Sequence, residues 1–175
     1  MVRLRQPGLL LGEWACLGAL GAGKLHGFAI AKRMAIEGDI GRVWTLSRPL
    51  TYRALSTLTD MALIRPAGEE PGTAGPNRTL LVLTPKGRAS LRGWLRSPVD
   101  HPREVRTDLL LKIVIADSMG VSREQLIERQ LAAFESHRGI RLAEMIPGPD
   151  GVIDPVAQWR FEFAEAAVRF LKSLA

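Results

Sequence analysis

The sequence is poor in the residues from which most active sites are built. It has one cysteine, three histidines and one tyrosine among 175 residues. Cys16 lies between Ala15 and Leu17 with no second thiol in the chain, which excludes an internal disulfide and a thiolate metal site and leaves a small core residue. His26 precedes Gly27 at a helix start and has no second ligand three or four positions on, so it is expected to cap or pack and not to bind metal. His101 and His137 stand alone. No nucleophile or acid–base constellation can be assembled from these groups, so no catalytic residue, metal or cofactor is expected, and the chain is not expected to be an enzyme. Long apolar runs are missing too. Leu9-Leu10-Leu11 is broken by Gly12 and Glu13, far short of the ~18 residues of a membrane span. A cytoplasmic protein with no membrane partner is expected.

What is present is an ordinary globular composition, 46% hydrophobic and 24% charged, enough for one domain or two small ones. The net charge of +6 is unevenly spread. Residues 1–99 hold 14 Lys and Arg against 6 Asp and Glu, whereas residues 100–175 hold 10 against 12. A basic first half suits a polyanion, and the slightly acidic second half suits a different partner.

Along the first half, Trp14, Leu17 and Leu20 fall at helical spacing before Gly21-Ala22-Gly23. A second helix is expected from His26 to Glu37, with Ile30, Met34 and Phe28 turned inward. Val43, Trp44 and Leu46 anchor the connection that follows. Ser47 is a good N-cap for a third helix, with Pro49 in its first turn. At 100° per residue, Leu50, Ala54, Leu55, Leu58, Met61 and Ala62 gather on one side of it. Pro49, Tyr52, Arg53 and Ser56 gather on the other, with Arg48, Thr51 and Thr59 on the margins. Next come two extended stretches, Leu63 to Ala67 and Arg78 to Leu83, joined by turn formers that include Glu69 and Glu70. They form a β-hairpin, and a basic helix from Lys86 to Arg96 follows it.

Helix, helix, recognition-type helix and hairpin is the order of a winged helix-turn-helix. The fold class expected is mainly α with a small β-hairpin wing, residues 1–98 forming the winged domain. Residues 99–175 should form an antiparallel helical domain. There Val105 to Met119, a helix opened by Ser122 and Gln125, and a helix opened by Asp154-Pro155 are all apolar on one side. In the last of these, Val156, Trp159, Phe163, Ala167, Phe170 and Leu174 make one stripe, widened by Phe161, Ala164, Val168 and Leu171. More apolar girth than one thin layer can cover implies a partner chain.

The sequence resembles the PadR family of bacterial transcriptional regulators along nearly its whole length. The resemblance is carried by Leu25 to Arg33, which includes His26-Gly27-Phe28, and by Tyr52-Arg53-Ala54-Leu55 with Leu58. Ala62-Leu63-Ile64, Leu83-Thr84-Pro85-Lys86-Gly87-Arg88 and Leu110-Leu111-Lys112 continue it in order. It implies a homodimer with interlocked C-terminal helices that places recognition helices on a palindromic operator, with Tyr52 at the family's typical recognition-helix tyrosine. The chain departs from the usual pattern at Pro49, Leu50 and Thr51, at Phe28 and at Leu81.

The expected DNA contacts are Ser47, Arg48, Thr51, Tyr52, Arg53 and Ser56 in the third helix and Arg78 in the wing. Dimerisation is expected of Leu131, Phe134, Trp159, Phe163, Phe170 and Leu174, and a small aromatic or apolar effector near Trp159, Phe161 and Phe163. The chain would then be a repressor released by such a signal. The competing expectation is a winged-helix protein-interaction module that does not bind DNA, favoured by Glu69 and Glu70 near the wing tip.

Overall fold

Glu13 starts the first helix. Its carboxylate accepts the backbone N–H of Leu10 at 2.7 Å, and helix α1 (Leu11–Ala19) follows, buried from Trp14 onward. The computed structural model describes residues 8–72, 77–148 and 150–175. The chain forms two units, one comprising the residues up to Leu95 together with Leu110–Val121, the other Arg96–Leu109 and Ser122–Ala175. The chain therefore does not divide at a single point near residue 98; it leaves the first unit, returns to it, and leaves again.

In the first unit α1 is followed by strand β1 (Leu25–His26) and helix α2 (Gly27–Met34). Helix α3 (Arg48–Asp60), strands β2 (Ile64–Glu70) and β3 (Arg78–Leu83), and helix α4 (Pro85–Arg96) come next. The sheet is antiparallel with order β1-β3-β2, a winged-helix arrangement. The two-residue β1 pairs Leu25 with Leu81 and His26 with Leu80; a strand so short has no periodicity to reveal it in sequence. Glu69 and Glu70, expected in the hairpin tip, lie inside β2 in register with Thr79 and Arg78, beyond a bulge at Gly68, whose φ is +106°.

The core of this unit joins Trp14, Leu17, Ile30, Met34, Leu58 and Leu91 to Leu111 and Ile115 of helix α5 (Leu110–Ser118). α5 approaches α1 closely because Gly18 has no side chain; a Cβ there would overlap Ile115. The indoles of Trp14 and Trp94 stack at 5.0 Å with 2° between planes. A left-handed residue ends α3: Ala62 has φ +56°, and the Leu63 N–H reaches back to the Leu58 carbonyl at 2.9 Å.

The second unit holds a 3-10 turn (Pro102–Glu104), a π-helical turn (Val105–Leu109) that leads into α5, and helices α6 (Glu124–Ala143) and α7 (Pro155–Lys172). α6 and α7 run antiparallel, tied by Arg138–Glu165 at 3.1 Å and Glu135–Lys172 at 2.9 Å. Asp154 caps α7 by accepting from the N–H groups of Val156 and Ala157. The capping box expected at Ser122 is not formed; α6 starts one residue later, after Arg123, which gives no side-chain cap. Gln130 is fully buried and bonds both backbone groups of Val99, at 2.7 and 2.9 Å, like a short strand partner.

Candidate nucleic-acid interface

α3 carries most of the candidate residues, and its cap sets where they point. Ser47 Oγ accepts from the Leu50 N–H at 3.5 Å, and Pro49 occupies the first turn, where no helical N–H bond is lost. Arg48, Pro49, Tyr52, Arg53 and Ser56 are exposed along one side, as the 100° projection requires. Ala54, Leu55 and Leu58 are buried on the other. Ala62, just past the helix end, is exposed against that projection, and Thr51 and Leu50 depart from it within the helix. Thr51 is fully buried and its hydroxyl donates to the Ser47 carbonyl at 3.0 Å, so it has no surface to offer DNA and leaves the candidate set. Leu50 is half exposed, because the first turn of α3 projects past the core edge that covers Ala54 one turn later. It lines an open groove of about 480 Å³ with Leu10, Trp44, Leu46 and Arg53.

Tyr52 lies across the start of α2. A Cβ on Gly27 would come within 2.8 Å of the ring carbon Cε1 and 3.2 Å of the hydroxyl oxygen, so the two residues fit only because Gly27 has no side chain. Beside them Phe28, expected in the core, is 46% exposed. α2 begins at Gly27, so Phe28 sits in its first turn at the surface while Ile30 and Met34 take the buried face. The guanidinium carbon of Arg48 lies 5.0 Å from the Phe28 ring centre, and that of Arg78 lies 5.7 Å from it. His26 caps α2, its Nδ1 accepting from the Ala29 N–H at 3.0 Å, and its ring stacks on Phe28 at 6.2 Å. The recognition helix and the wing thus meet on α2. Sequence reasoning missed Phe28; the signal available was an aromatic directly after a helix-capping His26-Gly27 pair.

Two other basic side chains of the first unit are engaged in structure. Arg33 binds both carboxylate oxygens of Asp39, at 3.0 and 2.6 Å, and the Ala19 carbonyl at 2.7 Å. Lys86 donates to the Met61 carbonyl at 2.8 Å. Burial among apolar neighbours, aided by the Glu13 carboxylate, pushes the Cys16 thiol up to about 12, so it supplies no thiolate nucleophile. Among the described residues no cluster of His, Cys, Asp and Glu could hold a metal, and no helix is long and apolar enough to cross a membrane.

In the second unit Trp159 and Phe163 stack at 5.9 Å and line a cavity of about 410 Å³ with His101, Pro102, Arg103, Arg141, Arg160 and Ala164. Phe161 is half-buried and is not part of that lining. The expected dimer residues divide. Trp159 is 66% exposed, and Leu131, Phe163, Phe170 and Leu174 are half-buried. Phe134 is fully buried by its own chain and has no surface left for a partner. α7 turns its small residues Ala157, Ala164 and Ala167 inward with Val168 and Leu171. The Val156–Trp159 side of the stripe stays outside, with Ile140, Leu142, Ile146 and Val152 also exposed.

No family model and no curated protein matches the chain. Among solved structures, the chain covers 99% of Bacillus subtilis PadR in complex with operator DNA, over 96% of its own length, at 22% identity and a TM-score of 0.48. The chain is similar to PadR. The complex of B. subtilis PadR with p-coumaric acid matches over 94% of this chain and 96% of that one, at 23% identity and a TM-score of 0.45. Beside these PadR structures stands smu.1604c from Streptococcus mutans UA159, at 16% identity and a TM-score of 0.45, over 94% and 98% of the two chains.

Proposed function

We propose that the chain is a DNA-binding transcriptional regulator of the PadR type, a cytoplasmic repressor that holds a palindromic operator as a homodimer. The observation that carries this is the meeting of the exposed α3 face with the wing: Arg48, Tyr52, Arg53 and Ser56 lie on one surface, and Arg78 of β3 reaches the same Phe28 ring as Arg48. A helix of this width, polar and basic on its outer side, fits a major groove. Its arginines neutralise phosphates while Tyr52 and Ser56 reach base edges. The first unit would therefore read DNA. The second would dimerise through the apolar surface of α6, α7 and their connection.

The cavity beside Trp159 supports an effector site. A stacked aromatic wall with three arginines suits a flat aromatic anion, and one PadR structure is that of a complex with p-coumaric acid. Release would follow from a shift between DNA-competent and incompetent dimers.

Fluorescence anisotropy with duplex DNA across a salt series tests the reading. Log affinity should fall linearly with log salt, and Arg53→Ala should flatten the slope by about one unit. A flat aromatic carboxylate such as p-coumarate should weaken binding in the same titration. The rival module draws on Glu69 and Glu70, both of which sit in β2 and oppose phosphate. Failure to retain any duplex at low salt would select it.

A further inference from the structure

We infer that Phe28 is a positioning residue for the phosphate backbone, its ring holding Arg48 of α3 and Arg78 of β3 as one paired cation site. This rests on the DNA-binding reading above and adds to it a residue from α2, outside both the recognition helix and the wing.

Two cations within 5.0 and 5.7 Å of one ring centre repel each other unless something offsets their charge. Among the described residues neither guanidinium is in an ion pair with a carboxylate, although Glu70 lies in register with Arg78 across the hairpin. What both share is the Phe28 ring, whose quadrupole attracts cations. His26 does not provide an alternative hold. Its Nδ1 accepts the Ala29 N–H, so the neutral ring carries its hydrogen on Nε2. The 3.3 Å approach of Arg78 Nη1 to that nitrogen then sets donor against donor. That contact therefore gives the guanidinium no acceptor, and what it keeps is its position 5.7 Å from the Phe28 ring centre.

Such an arrangement has a use where an anion arrives. Phosphate accepts from both guanidinium groups and cancels their repulsion, and side chains already stacked lose less freedom on binding than free ones. Phe28 would thereby link the wing to the recognition helix, so that the two arginines bind as a unit. Phe28 is 46% exposed in the first turn of α2, so its ring is open to solvent as well as packed on His26.

The test uses the full chain and a duplex that the wild type retains from a random-sequence pool, with affinity measured by fluorescence anisotropy and folding by thermal melting. Phe28→Leu should weaken binding about five- to tenfold at an unchanged melting temperature, and Phe28→Tyr should restore it. Arg48→Ala and Arg78→Ala should be non-additive in the wild type, with the double variant little worse than the poorer single one. In the Phe28→Leu background the two losses should become additive. Wild-type affinity for Phe28→Leu, with independent arginine losses in both backgrounds, overturns the inference and leaves the DNA-binding reading standing. A wild type that retains no duplex at low salt overturns both.

Discussion

Gly27 leaves open the space beside it that the Tyr52 ring occupies. A methyl group at position 27 would press on the Tyr52 ring, yet Gly27 opens a helix where alanine is otherwise favourable. Gly27→Ala should therefore leave the melting temperature unchanged or raised while weakening DNA binding by about 1–2 kcal/mol, as Tyr52 is pushed from its groove position. Parallel melting and anisotropy measurements separate the two effects. Much of α3 was legible at this scale, since Tyr52, Arg53 and Ser56 follow from a fixed turn angle. Thr51 was not. A threonine on the margin of a helix is neutral in the projection, and only its burial in the folded unit shows that it faces inward. Phe28 escaped for the opposite reason, because hydrophobicity was taken for burial at a helix start that lies on the surface.

Helix ends decide the behaviour of the elements. α3 ends with Ala62 in the left-handed region, a conformation that glycine adopts without strain. Ala62→Gly should raise stability by about 1 kcal/mol, seen as a higher denaturant midpoint at constant slope. The connection between α2 and α3 depends on Arg33 and Asp39. Hydrogen bonds from Arg33, together with its charge, hold the Asp39 carboxyl below its ordinary value of 3.8 despite partial burial. A carboxyl lowered in the folded state contributes stability that is fully present above the ordinary range. That contribution is lost as pH falls through the lowered value. Asp39→Asn should accordingly be less stable at neutral pH and show a shallower loss below about pH 4 than the wild type, measured by denaturation across an acid series. The helices themselves were legible from periodicity and caps, as Ser47 and Asp154 show. β1 and the start of α6 were not, because a two-residue strand and a backbone shift of one position leave no pattern.

Of the exposed large apolar side chains, Ile140, Leu142, Ile146, Val152, Val156 and Trp159 lie in the second unit. Apolar residues in that number, on one helical hairpin and its connection, mark an association surface. If the proposed dimer forms through this surface, Ile146→Asp combined with Val156→Asp should take the protein from two chains to one in sedimentation, with DNA affinity falling as the second half-site is lost. The breadth of the α7 stripe was legible in the sequence. Its direction was not: the small residues of α7 take the inner face, and the large aromatics are turned away from α6. Nothing in a stripe wider than half a helix says which margin its neighbour will cover.

α5 has a consequence for how this protein can be divided. Leu111 and Ile115 complete the core that Gly18 opens, although some fourteen residues of the other unit intervene before them. The first unit is accordingly no detachable cassette. A chain stopped near residue 98 would lack a wall of its own interior, and a graft of that length onto another protein would carry the reading surface without the means to keep it folded.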